Sequence, residues 1–383
     1  MLLFLGAGAS NPFGIPTMLG FINLFDQEVG DSPVYKEIKT TFGNECDLEV
    51  LMTVVEDLSK SPQEFFRAVS PQTAFFLLQK ERKEANRYVH EEDNKKEARE
   101  LLARIKAIIR RECIKAVSDS SKITEVYDDL FDFLENERKQ MITPGIHWSG
   151  TQVGGTEEVL PTDLRIFTTN YDTCIEVYFN RREIDFSRGI VKRYGEDLFD
   201  VDSYESPRTQ AIGIKIYKLH GSVDLFQKKG RIIQLNAAGA EKTFLGKEYG
   251  EESMRWPIEF GGYRHVIESP YLDLFRLLRD TAKEKRWWIM IGFSFRDRTI
   301  CSVLDDVLRL KPERDRPNAL LIDRHIDPIV KRLREWGYDA LVDTIYPVEV
   351  EFGNKDLSTK LHEFFLAKGH IKELSAEHAQ GIR

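Results

Sequence analysis

The chain of 383 residues has only four cysteines, Cys46, Cys113, Cys174 and Cys301. No two are spaced as a CxxC pair, so neither a zinc ribbon nor a disulfide framework has a sequence basis. No metal is expected, and the expected setting is a reducing cytoplasm. No apolar run approaches the ~20 residues of a membrane span, so no membrane association is expected. The opening Met1-Leu2-Leu3-Phe4-Leu5 is too short for a signal peptide, lacks a basic region and reads as a first strand. Excess positive charge is also missing, since the net charge is −8. Direct binding of nucleic acid is therefore not indicated. There is no internal repeat and no low-complexity tract. What the chain does have is 42% hydrophobic and 11% aromatic residues. That is enough for a large core, in one big domain or two moderate ones.

Short apolar runs recur, each ending in small or polar residues. Leu2 to Leu5 runs into Gly6, and Leu164 to Thr168 delivers Asn170. Ile212 to Leu219 delivers His220, Trp287 to Ile291 delivers Gly292-Phe293-Ser294, and Asn318 to Ile322 delivers Asp323. Helical patterns at 172–180, 298–310 and 326–336 lie between them. The alternation predicts an α/β fold, a parallel Rossmann-like sheet with helices on both faces. Ligands of such sheets bind beyond the carboxyl ends of the strands, where these polar residues fall. From Asp47 to Arg138 the stripes are helical, for example Leu48, Leu51, Met52, Val55 and Leu58. Residues 41–159 therefore read as an α-helical insertion, and 1–40 with 160–383 as the sheet domain. The segment 139–163 is rich in Gly, Thr and Pro and is expected to be a loop. Gly14, Pro16 and Gly20 suggest a second loop, folding over a ligand.

Three groups carry candidate chemistry. Gly6-Ala7-Gly8-Ala9-Ser10 follows the first strand, and its glycines permit close approach of a pyrophosphate. A plain strand-to-helix turn explains the same residues, because position 11 is Asn where the dinucleotide fingerprint has its third glycine. Asn170 and Asp172 lie two apart after a strand, suited to orienting a water, a ribose hydroxyl or an amide; helix capping is the alternative. His220, freed by Gly221, is a natural proton acceptor or else an ordinary buried histidine. Ser294 and Asp323 end later strands, where a carboxylate commonly takes ribose hydroxyls, or they are turn and cap. Arg296 and Asp297 read as a surface pair.

Taken in order, Gly6-Ala7-Gly8-Ala9-Ser10, Gly14-Ile15-Pro16, Thr169-Asn170-Tyr171-Asp172, Leu219-His220-Gly221 and Gly292-Phe293-Ser294 resemble the sirtuin (SIR2) superfamily. The resemblance covers about 1–30 and 160–350. It implies NAD+ as the substrate, with Gly6, Ala7, Gly8 and Ser10 at its phosphates. Asn170 and Asp172 would lie at the nicotinamide ribose and carboxamide, and His220 would be the general base. Ser294 would lie near the adenosine half and Asp323 at its ribose, with Thr169 and Gly292 also binding the cofactor. The chain departs from protein-deacylating members, which carry a four-cysteine zinc module. Thr169 replaces their Gln, and Thr17-Met18 replaces their Phe-Arg. In these respects it is similar to SIR2-like anti-phage effectors that hydrolyse NAD+, especially stand-alone subunits paired with a HerA-type ATPase. The implied function is NAD+ glycohydrolysis by a regulated homo-oligomer with that separately encoded partner. A protein deacylase or ADP-ribosyltransferase, and a non-enzymatic NAD-binding subunit of a DNA-processing complex, are the alternatives.

Overall fold

The computed structural model describes residues 1–67, 69–118, 120–138, 148–153, 156–161, 164–206, 212–228, 231–235 and 270–367. At its centre is β1 (Leu2–Leu5), whose four apolar residues are all buried. It pairs in parallel with β4 (Leu164–Thr168) and β11 (Trp287–Ile291), placing Leu3 beside both Ile166 and Ile289. Outward on one side come β8 (Ile214–Lys218) and β5 (Phe186–Ser187); on the other, β12 (Asn318–Asp323) and β13 (Ile345–Glu349). Among the described residues the sheet has seven strands in the order β13-β12-β11-β1-β4-β8-β5, every pair parallel. A sheet covered on both faces buries every position of its central strands, which is why these runs are continuously apolar.

The period of two along each strand divides the core. Leu3, Leu5, Ile166, Ile289 and Ile291 point into one apolar cluster, and Leu2, Phe4, Phe167, Trp288 and Met290 into the other. The first cluster is closed by α1 (Met18–Glu28), α2 (Pro33–Phe42), α3 (Leu48–Ser59), α4 (Pro62–Arg67), α5 (Pro71–Leu78), α6 (Arg82–His90), α7 (Glu92–Ser118), α8 (Ser120–Arg138) and α9 (Cys174–Arg181). The second is closed by α10 (Tyr271–Glu284), α11 (Arg298–Arg309), α12 (Ile326–Glu335) and α13 (Asp339–Thr344). The final helix, α14 (Leu357–Ala367), returns to the first face. This is the expected α/β fold, a parallel sheet between two helical layers. The four cysteines are buried free thiols. No helix among the described residues is long and apolar enough to cross a membrane.

Several local expectations are corrected. The segment 139–163 is not all loop, because β2 (Trp148–Val153) and β3 (Thr156–Pro161) pair as an antiparallel hairpin. A second sheet, β6 (Ile190–Arg193), β7 (Glu196–Phe199), β10 (Arg231–Gln234) and β9 (Leu225–Lys228), follows from short, charged runs that carry little apolar signal. Gly20 lies inside α1 rather than in a loop, and its N–H donates to the capping Thr17 Oγ1 at 3.3 Å. The segment after Ser10 is a 3-10 helix over Ala7–Phe13, closed by Gly14 at φ +83°.

Chain direction positions the site. From β1 the chain builds outward to β4 and β8, then returns to β11 on the other side of β1 and builds the opposite way. The reversal opens a crevice beyond the carboxyl ends of β1 and β11, the usual ligand position in such sheets.

Candidate functional site

The loops after β1 and β11 meet backbone to backbone. Gly6 N donates to Ile291 O and Gly8 N to Gly292 O, both at 2.9 Å. A Cβ at Gly6 would lie 2.5 Å from Gly292 O, and one at Gly292 would lie 2.3 Å from Ala9 N. Gly292 also has φ +59°, a conformation that side chains disfavour. In this arrangement the glycines are required by the approach of two protein loops.

Ser10 is the hub of a polar set. It is 3% exposed, and its hydroxyl donates to Asp172 Oδ2 at 2.6 Å. The same oxygen accepts from Asn170 Nδ2 at 2.8 Å, and Asn170 Nδ2 also donates to Gly6 O at 2.8 Å. Thr168 Oγ1 accepts from Asn170 N at 3.0 Å, fixing the turn that presents the amide. Asp172 Oδ1 accepts from Cys174 N at 2.9 Å at the start of α9. Its carbonyl accepts from the buried Lys218 ammonium. Capping and site-building are thus both roles of Asp172. Each carboxylate oxygen already holds one partner, so the carboxylate acts first through Ser10.

Behind this set lies a buried ionic group. Glu176 sits 3.4 Å from Lys218 and 3.7 Å from Arg188, and Arg188 pairs with Asp224 at 2.7 Å. Burial alone would raise the Asp224 carboxyl, but the Arg188 guanidinium holds it down at about 2.

His220 follows β8 and is 6% exposed. Its Nε2 lies 3.0 Å from Asp297 Oδ2. Burial opposes a charged imidazole, yet the Asp297 hydrogen bond and charge win and raise its pKa. Burial likewise opposes the Asp297 carboxylate, and His220 together with the α11 amides lowers it. Asp297 Oδ1 caps α11, accepting from Thr299 N at 2.8 Å and Ile300 N at 3.1 Å. With Nε2–H directed at Asp297, the neutral ring keeps Nδ1 as its acceptor. The expected surface pair of Arg296 with Asp297 is not formed. Arg296 instead reaches Asp47 at 3.2 Å, and Asp297 turns inward. Asp297 was the residue that sequence reasoning missed, although an Asp just before an amphipathic helix is a capping signal.

A further shallow recess is lined by Gly8, Asn11, Thr17, Gly292, Asp323, Arg324, Glu351 and others. Asn11 Nδ2 donates to Glu351 Oε1 at 2.7 Å, and Asp323 Oδ1 accepts from His325 N at 2.9 Å. Burial raises the Asp323 carboxyl. The structure thus joins Gly6, Ser10, Asn170 and Asp172 by hydrogen bonds, and joins Gly8, Gly292 and Asp323 around the recess. His220 belongs to the separate pair with Asp297. Tyr171, between Asn170 and Asp172, accepts at its carbonyl from Val223 N at 2.9 Å, which ties this loop to the one that carries His220. Three other predicted positions are placed by backbone: Ala7 opens the 3-10 helix, Thr169 N donates to Leu5 O at 3.2 Å, and Ser294 O accepts from Arg332 Nη1 at 2.6 Å. No group of three or more potential metal ligands clusters among the described residues.

Comparison with curated proteins finds no match. Residues 164–341, from the start of β4 into α13 and including Asn170, Asp172, His220, Gly292, Asp297 and Asp323, match the family model described as the SIR2-like domain.

Proposed function

We propose that this protein is an NAD+ glycohydrolase, which cleaves the nicotinamide–ribose bond to give nicotinamide and ADP-ribose. The observation that supports this reading is that two polar sets stand on loops beyond the carboxyl ends of one parallel sheet. The Ser10–Asn170–Asp172 hub and the His220–Asp297 pair both stand on loops at the carboxyl edge of the sheet. A binding module needs the recess but has no use for a histidine oriented by a buried carboxylate. The SIR2-like match over 164–341 supports NAD+ as the substrate class.

The residues fit that substrate. Asp323, with the recess around Gly8 and Gly292, suits the adenosine ribose and phosphates. Asn170, held by Ser10 and by the Thr168 hydroxyl, suits the nicotinamide ribose or the attacking water. As the glycosidic bond breaks, positive charge develops on the ribose and nicotinamide departs. Water adds to the anomeric carbon, and His220 takes the proton released at its Nδ1. Asp297 stabilises the resulting imidazolium. General-base assistance of this kind contributes ~10²–10⁴-fold. Asp172 and Lys218 keep Ser10 and Asn170 in place, and such pre-ordering lowers the entropic part of the barrier.

On this reading the protein is a cytoplasmic effector of anti-phage defence, a homo-oligomer regulated by a HerA-type ATPase. An unregulated NAD+ hydrolase would be toxic, which is why regulation by assembly or partner belongs to the proposal. Product analysis by mass spectrometry, with and without an acylated peptide, separates the chemistries. Free ADP-ribose regardless of peptide supports glycohydrolysis, whereas peptide-dependent acyl-ADP-ribose would make it a deacylase. Tight NAD+ binding without turnover, even with the ATPase present, would favour the binding-subunit reading.

A further inference from the structure

Lys218 is the last residue of β8, and the alternation of the strand places it on the same face as the buried Ile214 and Ile216. A charge in such a place needs partners from the fold, and Lys218 has two. Its ammonium donates to the carbonyl oxygen of Asp172, and it lies 3.4 Å from Glu176 Oε1. Glu176 stands in the first turn of α9, and the same Oε1 lies 3.7 Å from Arg188 Nη1. Arg188 in turn donates twice to Asp224, at 2.7 and 3.0 Å. Asp224 also accepts from Gln234 of β10 at 2.8 Å. The side chains of Glu176, Lys218 and Arg188 are only 4%, 4% and 9% exposed.

Glu176 differs from the other members of this group in one respect. Neither of its carboxylate oxygens has a hydrogen-bond partner among the described residues. Its ion pairs are with Lys218 and Arg188, at distances where charge rather than a shared proton joins them. Replacing a buried ionic group by apolar residues of similar size is often neutral for stability or better. Stability therefore does not explain why a carboxylate is buried here.

The consequence of its charge lies on the far side of Lys218. Asp172, whose carbonyl Lys218 holds, accepts from Ser10 Oγ and from Cys174 N at its carboxylate, and Ser10 accepts from Asn170. Fixing the Asp172 peptide thus fixes the direction of the carboxylate that anchors Ser10. One Glu176 oxygen faces both cations, so its charge also screens Lys218 from Arg188. Arg188 is pinned by two bonds to Asp224, and Lys218 is the cation free to yield when that charge is removed.

We infer that Glu176 is a positioning residue for the Ser10–Asn170–Asp172 hub: its charge keeps the Lys218 ammonium on the Asp172 carbonyl, and that contact sets the hub. The meaning for catalysis rests on the glycohydrolase reading, but the coupling itself exists without turnover.

Glu176→Gln isolates the charge, because it nearly conserves volume and breaks no hydrogen bond. In the full chain, kcat for nicotinamide release is expected to fall ~10-fold or more, the effect of a displaced positioning group. KM for NAD+ should stay within about twofold, since the recess around Gly8, Gly292 and Asp323 is untouched. Lys218→Met should act alike. The double variant, Glu176→Gln with Lys218→Met, should lose no more than Lys218→Met alone, because Glu176 acts through the ammonium. Glu176→Asp keeps the charge and should recover part of kcat. A role in stability alone would lower the melting temperature and leave kcat of the folded protein as it was. A second readout needs no turnover. The Asn170 side-chain amide, followed by NMR in nitrogen-labelled protein and assigned with Asn170→Ala, should shift in Glu176→Gln. If that variant does not fold, the double variant leaves neither charge buried alone and serves in its place. An unmoved Asn170 amide in the folded variant would overturn the inference. So would an unchanged kcat, or additive losses in the double variant. A parent protein that releases no nicotinamide would count against the glycohydrolase reading, and the amide shift would still decide the inference.

Discussion

Ser10 illustrates how one hydroxyl organises a site. It is buried, it donates to one partner and it accepts from another. Ser10→Ala would leave a buried carboxylate oxygen and an amide short of a partner, at a cost of about 1–3 kcal/mol. Urea unfolding should show that loss, and nicotinamide release should fall more steeply than stability because Asn170 loses its anchor. Asp297→Asn makes a complementary change. Asn caps helices about as well as Asp, so the melting temperature should change little. The charge beside His220 is lost, however, and turnover should fall within the ~10²–10⁴-fold range of general-base catalysis. A large drop in melting temperature at near-normal turnover would contradict the assigned roles.

Asp224 gives a pH prediction at the same scale. Its carboxyl ionises at about 2 when folded, against the ordinary 3.8. A lowered carboxylate stabilises the fold above its unfolded pKa, and that stability is lost as pH falls through the folded one. The contribution is about 2 kcal/mol, present above about pH 4 and gone near pH 2. Acid unfolding of Asp224→Asn should therefore lack this component. An acid transition identical to that of the parent protein would contradict the Arg188–Asp224 account.

Among elements, the loops at the carboxyl edge would carry the proposed chemistry and the strands would aim it. The contact between the β1 and β11 loops is a sensitive joint. Gly292→Ala would put a methyl 2.3 Å from Ala9 N at a backbone conformation that disfavours it. Circular dichroism melts should show destabilisation of more than about 1 kcal/mol, together with weaker NAD+ binding. The central strands were legible in the sequence because burial on both faces makes them continuously apolar, as in Leu2–Leu5 and Trp287–Ile291. The β6-β7-β10-β9 sheet was not, since runs such as Ile190–Arg193 are half-exposed and charged. The positions of Asn170, Asp172 and His220 just after β4 and β8 were legible from the apolar runs that precede them. The pairing of Asp297 with His220 was not legible, because it joins residues 77 apart in the chain.

At the scale of the whole molecule, one sheet separates two apolar layers and gathers the polar loops on one edge. Ligand binding should stabilise this assembly as a unit. A His220→Ala variant, unable to turn over, is expected to gain about 2.7 kcal/mol at NAD+ concentrations a hundredfold above its Kd. A thermal-shift series reads this directly, and no shift at saturating NAD+ would count against a nucleotide site in the crevice.

The most direct measurement is nicotinamide release from NAD+, followed by chromatography, for the parent protein and for Asn170→Ala and His220→Ala. Each is measured alone and with the candidate ATPase. The account predicts nicotinamide and ADP-ribose in equal amounts from the parent protein, and a loss of ~10²-fold or more in each folded variant. Full activity in both variants would contradict it.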